Sequence, residues 1–415
     1  MEFSNPYFTV ILVSLISLQA LEVLAAALNL RGLSPQLPAG LEDIYEAEAY
    51  AKSQAYTRES ERFGILSATV RFAVFIGFWL CGGFAAVDHL VRGWTDSAVW
   101  QGLWGMAVLY AASSVLSLPF SWYDTFRIEA KFGFNKTTPA TFIMDAVKGA
   151  ILAAAIGLPL MALLIWLFGT YSNAWLWAWI ATTVLMLALQ YIAPRWLMPL
   201  FNKFTPLPDG SLKDAINALS AKCAFPLAGL FVIDGSKRST KANAFFAGFG
   251  KHKRIALYDT LIEKHPEPEL IAVLAHEIGH FKCRHIIQRM IVAVAQLALT
   301  FLLLGFFMNN IRLHEAFGVT QPSVWLSFVF FMFLFEPVQS LLGIAANLWS
   351  RKHEYEADAY AARVTGSPQP LMAGLKRLAR DTLANLTPHP LHVFLHYSHP
   401  PMSQRLAALA ACKTS

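Results

Sequence analysis

Seven long apolar runs constrain this chain more than any other feature of its sequence. Each is long enough, at about 20 residues, to cross the hydrocarbon core of a bilayer as a helix. The chain is also 56% hydrophobic and only 14% charged, so it exceeds the apolar content of ordinary globular domains. We therefore expect a mainly α, multi-pass membrane protein with the lipid bilayer as a partner. The runs cover roughly residues 7–29, 66–88, 98–121, 142–168, 174–198, 290–308 and 323–349.

The distribution of Lys and Arg predicts how these spans are oriented. None precedes the first run, whereas four follow it, and the connections then alternate between basic and nearly uncharged. The connection at 201–285 carries twelve, and the tail after 350 is basic again. By the positive-inside rule the N-terminus is outside, and the 201–285 connection and the tail are cytoplasmic. The net charge of +6 then follows from topology and anionic lipid, and no nucleic-acid partner is required.

The connection after the fifth run is the one sizeable polar block, and we expect a small cytoplasmic α+β insert there. It has an amphipathic helical pattern at 211–222 and strand-like runs at 229–234 and 254–258 beside a glycine-rich turn around 246–250. The predicted domains are a five-span region (1–198), the insert (199–289), spans six and seven (290–349) and a C-terminal cytoplasmic region (350–415).

The sequence HEIGH at 276–280 lies at the end of this block, close to the sixth span. Prolines and acids at 266–269 predict the start of a helix, so His276 and His280, four residues apart, share one face. Two such histidines can bind one Zn²⁺, with Glu277 as general base, as in metallopeptidases. A solvated helix face with two ordinary histidines is the alternative.

A catalytic zinc needs a third protein ligand and an open position. The chain crosses the membrane twice after His280 and returns to the same side near residue 350. Glu354 and Asp358 follow there, one helical turn apart. We expect Glu354 to be the third ligand and Asp358 to orient a ligand histidine by accepting its free N–H. A solvated helix face is again the alternative for this pair alone.

These residues resemble the type I CAAX prenyl endopeptidases, the integral-membrane zinc metallopeptidases of the a-factor-converting enzyme type. The resemblance covers nearly the whole chain. It includes HEIGH, EYEADAYA at 354–361, FRIEAKFGFNK at 126–136, NAFFAGF at 243–249, KRIALYDTL at 253–261, and HYSHPP at 396–401 followed by Arg405.

The resemblance implies seven helices that enclose a large chamber, with one zinc per chain facing inward beneath the soluble insert. It implies that Asn243 contacts the substrate backbone beside an edge strand. It also implies that His399 and Arg405 steady the substrate or the developing oxyanion. For His399, a surface histidine is the alternative. Glu356 departs from the family pattern, because many relatives carry an amide there.

Ionisable residues inside the runs are expected to face a cavity or each other, because charges facing lipid are costly. Five such residues are Glu22, Arg71, Asp145, Lys148 and Glu336. For Asp145 and Lys148, three residues apart, we expect a mutual ion pair.

The leading functional hypothesis is a zinc endopeptidase that cleaves near the C-termini of prenylated or other membrane-associated proteins. An HtpX-like quality-control metallopeptidase is the close alternative, although five spans ahead of HEIGH favour the CAAX type. A seven-helix transporter or receptor is the remote alternative, and it would not need Glu277. The expected location is a bacterial inner membrane, or the endoplasmic reticulum membrane if the source is eukaryotic.

Overall fold

The computed structural model describes residues 4–38, 41–247 and 253–412, and it is mainly helical. Its α-helices are α1 (Pro6–Arg31), α2 (Ala47–Leu80), α3 (Gly83–Arg92), α4 (Ala98–Tyr123), α5 (Pro139–Thr170), α6 (Ala174–Ile192), α7 (Ser211–Lys222), α8 (Asp259–Lys264), α9 (Glu267–Lys282), α10 (His285–Phe307), α11 (Ile311–Glu315), α12 (Val324–Thr365), α13 (Gln369–Asp381), α14 (Pro390–His396) and α15 (Met402–Ala410). Short π-helices continue α4 over Asp124–Glu129 and α6 over Ala193–Leu197, and single 3₁₀ turns follow at Met198–Leu200 and Gly235–Lys237.

Seven helices within the described residues are long and apolar enough to cross a membrane, which confirms the predicted number of spans. They are α1, α2, α4 with its π extension, α5, α6 with its extensions, α10 and α12. At most 17% of the most apolar stretch of each is buried against other protein. Most of their surface therefore needs a solvent other than the protein itself, as a bilayer provides.

The predicted bounds of the second span are wrong. The apolar run continues to residue 88, but α2 ends at Leu80 and α3 begins at Gly83. Gly82 breaks the helix with a φ of 77°, a left-handed conformation that glycine adopts without a steric penalty. A Cβ on Gly83 would lie 2.3 Å from the ring of Phe78, so the tight turn requires that second glycine as well. Apolar periodicity continues through the break and does not reveal it.

The last span and the second acidic motif belong to one helix. α12 runs without interruption for 42 residues, although it contains Pro337. It begins among buried aromatic side chains such as Trp325 and Phe330 and ends at Thr365, where Gly366, with a φ of 79°, caps it. Glu354 and Asp358 lie in its final third. The carboxylates of Glu354 and Asp358 therefore lie on the same continuous helix as the seventh span.

The insert contains the predicted helix at 211–222 and a four-stranded sheet. The strands are β1 (Phe204–Pro206), β2 (Leu227–Ile233), β3 (Ala244–Ala247) and β4 (Lys253–Tyr258), in the order β1-β2-β4-β3. β2 and β4 confirm the two predicted strands, and they pair in parallel. β1 and β3 are short antiparallel edges that the sequence analysis did not predict. Most of the predicted glycine-rich turn, residues 248–250, lies outside the described residues.

A buried apolar cluster joins the sheet to the membrane helices and holds α9 in place. It includes Ile255 and Leu257 of β4, Ala275 and Ile278 of α9, and Ala361 of α12, all at most 1% exposed. α9 thus lies between the sheet and α12. This packing fixes the position of the HEIGH motif along α12, relative to Glu354.

Candidate metal centre

Three side chains from α9 and α12 converge on one point. His276 Nε2 lies 3.2 Å from His280 Nε2 and 3.4 Å from Glu354 Oε2. His280 Nε2 lies 3.2 Å from Glu354 Oε1. A tetrahedral metal with bonds of about 2.0–2.2 Å separates its ligand atoms by about 3.3–3.6 Å. The three distances are close to that spacing, so these atoms form a candidate metal-binding site.

Glu354 itself is better suited to a cation than to the protein groups around it. Its side chain is only 3% exposed, and within the described residues its Oε2 atom has no hydrogen-bond partner. A buried carboxylate oxygen without a hydrogen bond is costly unless a cation neutralises it, and Arg405, whose Nη1 lies 3.5 Å away, already donates two hydrogen bonds to Asp358. Two imidazoles and one carboxylate are also the donor set of many catalytic zinc sites.

Asp358 and Arg405 support His276 from behind. Asp358 Oδ1 lies 2.7 Å from His276 Nδ1, on the opposite side of the ring from the centre. Arg405 donates two hydrogen bonds to the same carboxylate, from Nε at 2.9 Å and from Nη2 at 2.6 Å. Burial alone would lower the pKa of His276, but Asp358 and Glu354 outweigh it and raise that pKa to about 9. The carboxylates that favour an imidazolium here also favour a divalent cation.

Glu277 lies on α9, between the two histidines. It interacts electrostatically with His276, His280 and Glu354. Burial raises the pKa of Glu277, whereas the two histidines oppose that effect. A carboxylate with a raised pKa is a stronger base than an ordinary glutamate.

α9 and α12 approach closely because α9 has a glycine at their contact. A Cβ on Gly279 would lie 3.1 Å from both the Cα and the carbonyl oxygen of Ala357, and 3.2 Å from Tyr360 Cβ. Two of these atoms are backbone, so they can move only if the helix moves. Gly279 therefore sets the distance between the histidines and Glu354.

We expect the substitution Gly279→Ala to lower the free energy of unfolding by about 1–3 kcal/mol, the usual cost of overpacking. It should also weaken metal binding, because the added methyl separates the ligand helices. Thermal unfolding and metal content of detergent-purified protein would measure both effects. Gly374→Ala is the matched control, since a Cβ there meets α9 at an ordinary 3.5 Å. Equal behaviour of the two variants would contradict this role for Gly279.

His399 approaches the centre from the segment between α14 and α15. Its Nε2 lies 3.5 Å from Glu354 Oε1, and its Nδ1 lies 3.0 Å from the hydroxyl of Ser398. The side chain is 62% exposed, so a substrate could reach it. Arg405, by contrast, is 7% exposed and engaged with Asp358.

Asn243 is exposed and directly precedes β3, one of the two edge strands of the sheet. The segment before it is tied to the membrane region. Lys241 Nζ lies 2.7 Å from Glu129 Oε2 and donates to Tyr56 at 3.0 Å. Glu129 belongs to the FRIEAKFGFNK motif, so part of that motif anchors the approach to the edge strand.

The expected pair between Asp145 and Lys148 is wrong. Arg238 donates two hydrogen bonds to Asp145, at 2.7 and 2.9 Å, and Lys148 donates to the carbonyl of Leu200 at 2.9 Å. A guanidinium matches a carboxylate in a bidentate manner that an ammonium cannot. Because Arg238 is 93 residues away in the chain, spacing along one helix could not reveal it.

Three residues beside the centre, His285, His353 and Glu356, had no role predicted from the sequence. His280 Nδ1 lies 3.0 Å from His285 Nδ1, and His285 contacts His353 and Glu356. His285 lies only five residues after His280, so its closeness in sequence could have suggested that it contacts this ligand. Its partners on α12 are too distant in sequence to be inferred from spacing.

Comparison with protein families gives two matches that together span almost all of the chain. Residues 27–203 match a family described as CAAX prenyl protease N-terminal, five membrane helices. Residues 206–413 match peptidase family M48. The boundary between the two matches falls at the start of the insert.

Individual relatives show similarity over nearly their full lengths. The chain is 36% identical to a CAAX prenyl protease 1 homologue of Oryza sativa, over 97% of each chain. It is 36% identical to CAAX prenyl protease 1 of Saccharomyces cerevisiae, over 90% of this chain and 88% of that one. The crystal structure of S. mikatae Ste24p is similar with a TM-score of 0.92 and 33% identity, over 97% of this chain and 99% of that one.

Proposed function

Because this chain belongs to the CAAX prenyl protease 1 family of M48 zinc metalloendopeptidases, we propose that it cleaves peptide bonds near the C-termini of prenylated membrane-associated proteins. The observation that carries the proposal is the convergence of His276, His280 and Glu354 at ligand spacing. The match to the five-helix N-terminal family over residues 27–203 favours this substrate class over HtpX-like quality control.

We assign one zinc per chain to His276, His280 and Glu354. Zinc bound there would supply a positive charge to polarise the scissile carbonyl and to lower the pKa of a water molecule toward neutrality. Glu277 accepts the proton of the attacking water. Asp358 holds His276 in the tautomer that leaves Nε2 free, and it is held in turn by Arg405.

The remaining predicted residues act on the substrate. His399 is exposed, and its Nε2 faces the centre, so it can donate a hydrogen bond to the oxygen that gains charge in the transition state. Arg405 contributes through Asp358, and its buried positive charge also favours negative charge nearby. Asn243 at the edge strand can bind the backbone of an extended peptide, a common mode of recognition at exposed sheet edges.

The alternation of basic connections supports a topology with the N-terminus outside and the metal centre on the cytoplasmic side. A cysteine at position 4, in place of exposed Ser4, is expected to react with an impermeant maleimide added outside intact cells, in a background whose native cysteines are replaced. A cysteine at position 263, on exposed Glu263 of α8, is expected to react only after the cells are opened. The reverse pattern would overturn this orientation.

Purified protein is expected to cleave a farnesylated CAAX peptide. Removal of the metal with a chelator should abolish cleavage, and added zinc should restore it. An unlipidated peptide of the same sequence is the matched control, and it should be cleaved more slowly. Equal rates on the two peptides would remove prenylation from the proposal, and cleavage that resists the chelator would remove the metal.

A further inference from the structure

A second cluster of metal-ligating side chains lies directly against the proposed zinc ligands. His285 at the start of α10 meets His353 and Glu356 of α12, with candidate ligand atoms within 4.8 Å of one another. His285 and His353 are each 1% exposed. The cluster could bind a second ion, or it could serve the first.

The geometry of the two rings disfavours a shared ion. His285 and His353 are stacked face to face, with centroids 3.9 Å apart and planes 9° from parallel. An imidazole nitrogen directs its lone pair within the plane of its ring. A metal in the plane of one ring would therefore lie well outside the plane of the other.

The hydrogen bonds form instead a chain that starts at a zinc ligand. His280 Nδ1 lies 3.0 Å from His285 Nδ1, and His285 Nε2 lies 2.8 Å from Glu356 Oε2. Because Nε2 of His280 faces the metal centre, a neutral His280 carries its proton on Nδ1. That N–H donates to Nδ1 of His285. His285 then carries its own proton on Nε2 and donates to Glu356. One set of tautomers satisfies every step.

The stacked neighbour keeps His285 in that orientation. His353 covers one face of the His285 ring, and its Nε2 lies 3.1 Å from Gln288 Oε1. The amide of Gln288 donates in turn to the carbonyl of Cys283, in the turn between α9 and α10. Gln288 of α10 thus holds His353, and His353 in turn restrains the ring of His285 from α12.

We propose that His285 and Glu356 form a positioning relay that fixes the tautomer and ring orientation of His280. The relay is the counterpart, for the second ligand histidine, of Asp358 and Arg405 at His276. It rests on the proposed function, because it acts on a ligand of the zinc assigned there. Outer partners of this kind usually contribute 10–100-fold to metal affinity.

The test is zinc affinity, measured by competition with a chelator of known affinity on purified protein at one pH. Glu356→Ala is expected to lower the affinity about tenfold, and His285→Phe, which keeps a flat ring but removes the acceptor, at least as much. Glu356→Gln keeps an acceptor oxygen and should stay near the unmodified protein. Lys352→Gln is the matched control, since this 72% exposed side chain lies 3.7 Å from Glu356 and outside the relay.

Glu356 is 41% exposed, so its truncation leaves no cavity, and the thermal midpoint of the metal-free Glu356→Ala variant should match that of the unmodified metal-free protein. Unchanged zinc affinity in Glu356→Ala would overturn the relay while leaving the proposed function intact. Two zinc ions per unmodified chain would also overturn it, in favour of a second metal site. If the unmodified protein bound no zinc and cleaved no peptide, the proposed function itself would fail.

Discussion

The substitution Glu277→Gln is expected to leave zinc bound and to lower the rate of peptide cleavage by about 10²–10⁴-fold. The amide has nearly the same size as the carboxylate, so the packing of α9 is retained. It cannot accept a proton from the attacking water, whereas the carboxylate can, and burial raises the pKa of that carboxylate. The turnover of a farnesylated peptide and the zinc-to-protein ratio would be measured on the same preparation.

Glu267→Gln is the matched control for this change. It makes the same chemical substitution in the first turn of the same helix. It should leave both the rate and the zinc content unchanged. Full cleavage activity of Glu277→Gln would contradict the assignment of Glu277 as the general base.

The substitution Glu354→Ala is expected to remove both the metal and the activity. Glu354 is one of the three proposed ligands, so its loss should lower zinc affinity by more than the roughly 10–100-fold typical of outer partners. It also removes one of the carboxylates near the buried guanidinium of Arg405, whose Nη1 lies 3.5 Å from Glu354. Elemental analysis after dialysis should find far less than one zinc per chain.

Glu263→Ala removes an exposed carboxylate from α8 and serves as the control, with unchanged zinc content. The two principal variants also test each other. Glu277→Gln should retain the metal without turnover, whereas Glu354→Ala should lose both. A Glu354→Ala protein that still held one zinc per chain would overturn the ligand assignment.

Two kinds of signal made much of this architecture predictable. The apolar runs are local and long, so the number of spans and most of their bounds followed from length alone. The spacing in HEIGH is also local, because a helix places residues i and i+4 on one face. Glu354 could be expected near it only because two spans return the chain to the same side. The structure places its oxygens 3.2 and 3.4 Å from the two histidines.

Features that depend on a partner distant in sequence were not predictable. Arg238 replaces Lys148 as the partner of Asp145, and Glu356 receives a hydrogen bond from His285, 71 residues away. These hydrogen-bond partners are determined by the tertiary structure, which a periodic sequence pattern does not reveal. The break at Gly82 was missed for a related reason, since a single left-handed residue leaves the hydropathy of its surroundings unchanged.

Because α12 is continuous, the direction in which Glu354 projects from the helix axis is fixed relative to the membrane span. An inserted residue turns everything beyond it by about 100° and advances it by about 1.5 Å. One residue inserted between Trp325 and Glu354 would therefore rotate the carboxylate of Glu354 about the axis of α12, away from the imidazoles of His276 and His280. Insertions of about seven or eleven residues would nearly restore the original direction but would still displace the carboxylate along the helix axis. We expect homologous chains to vary in length at loops and to keep this stretch at constant length.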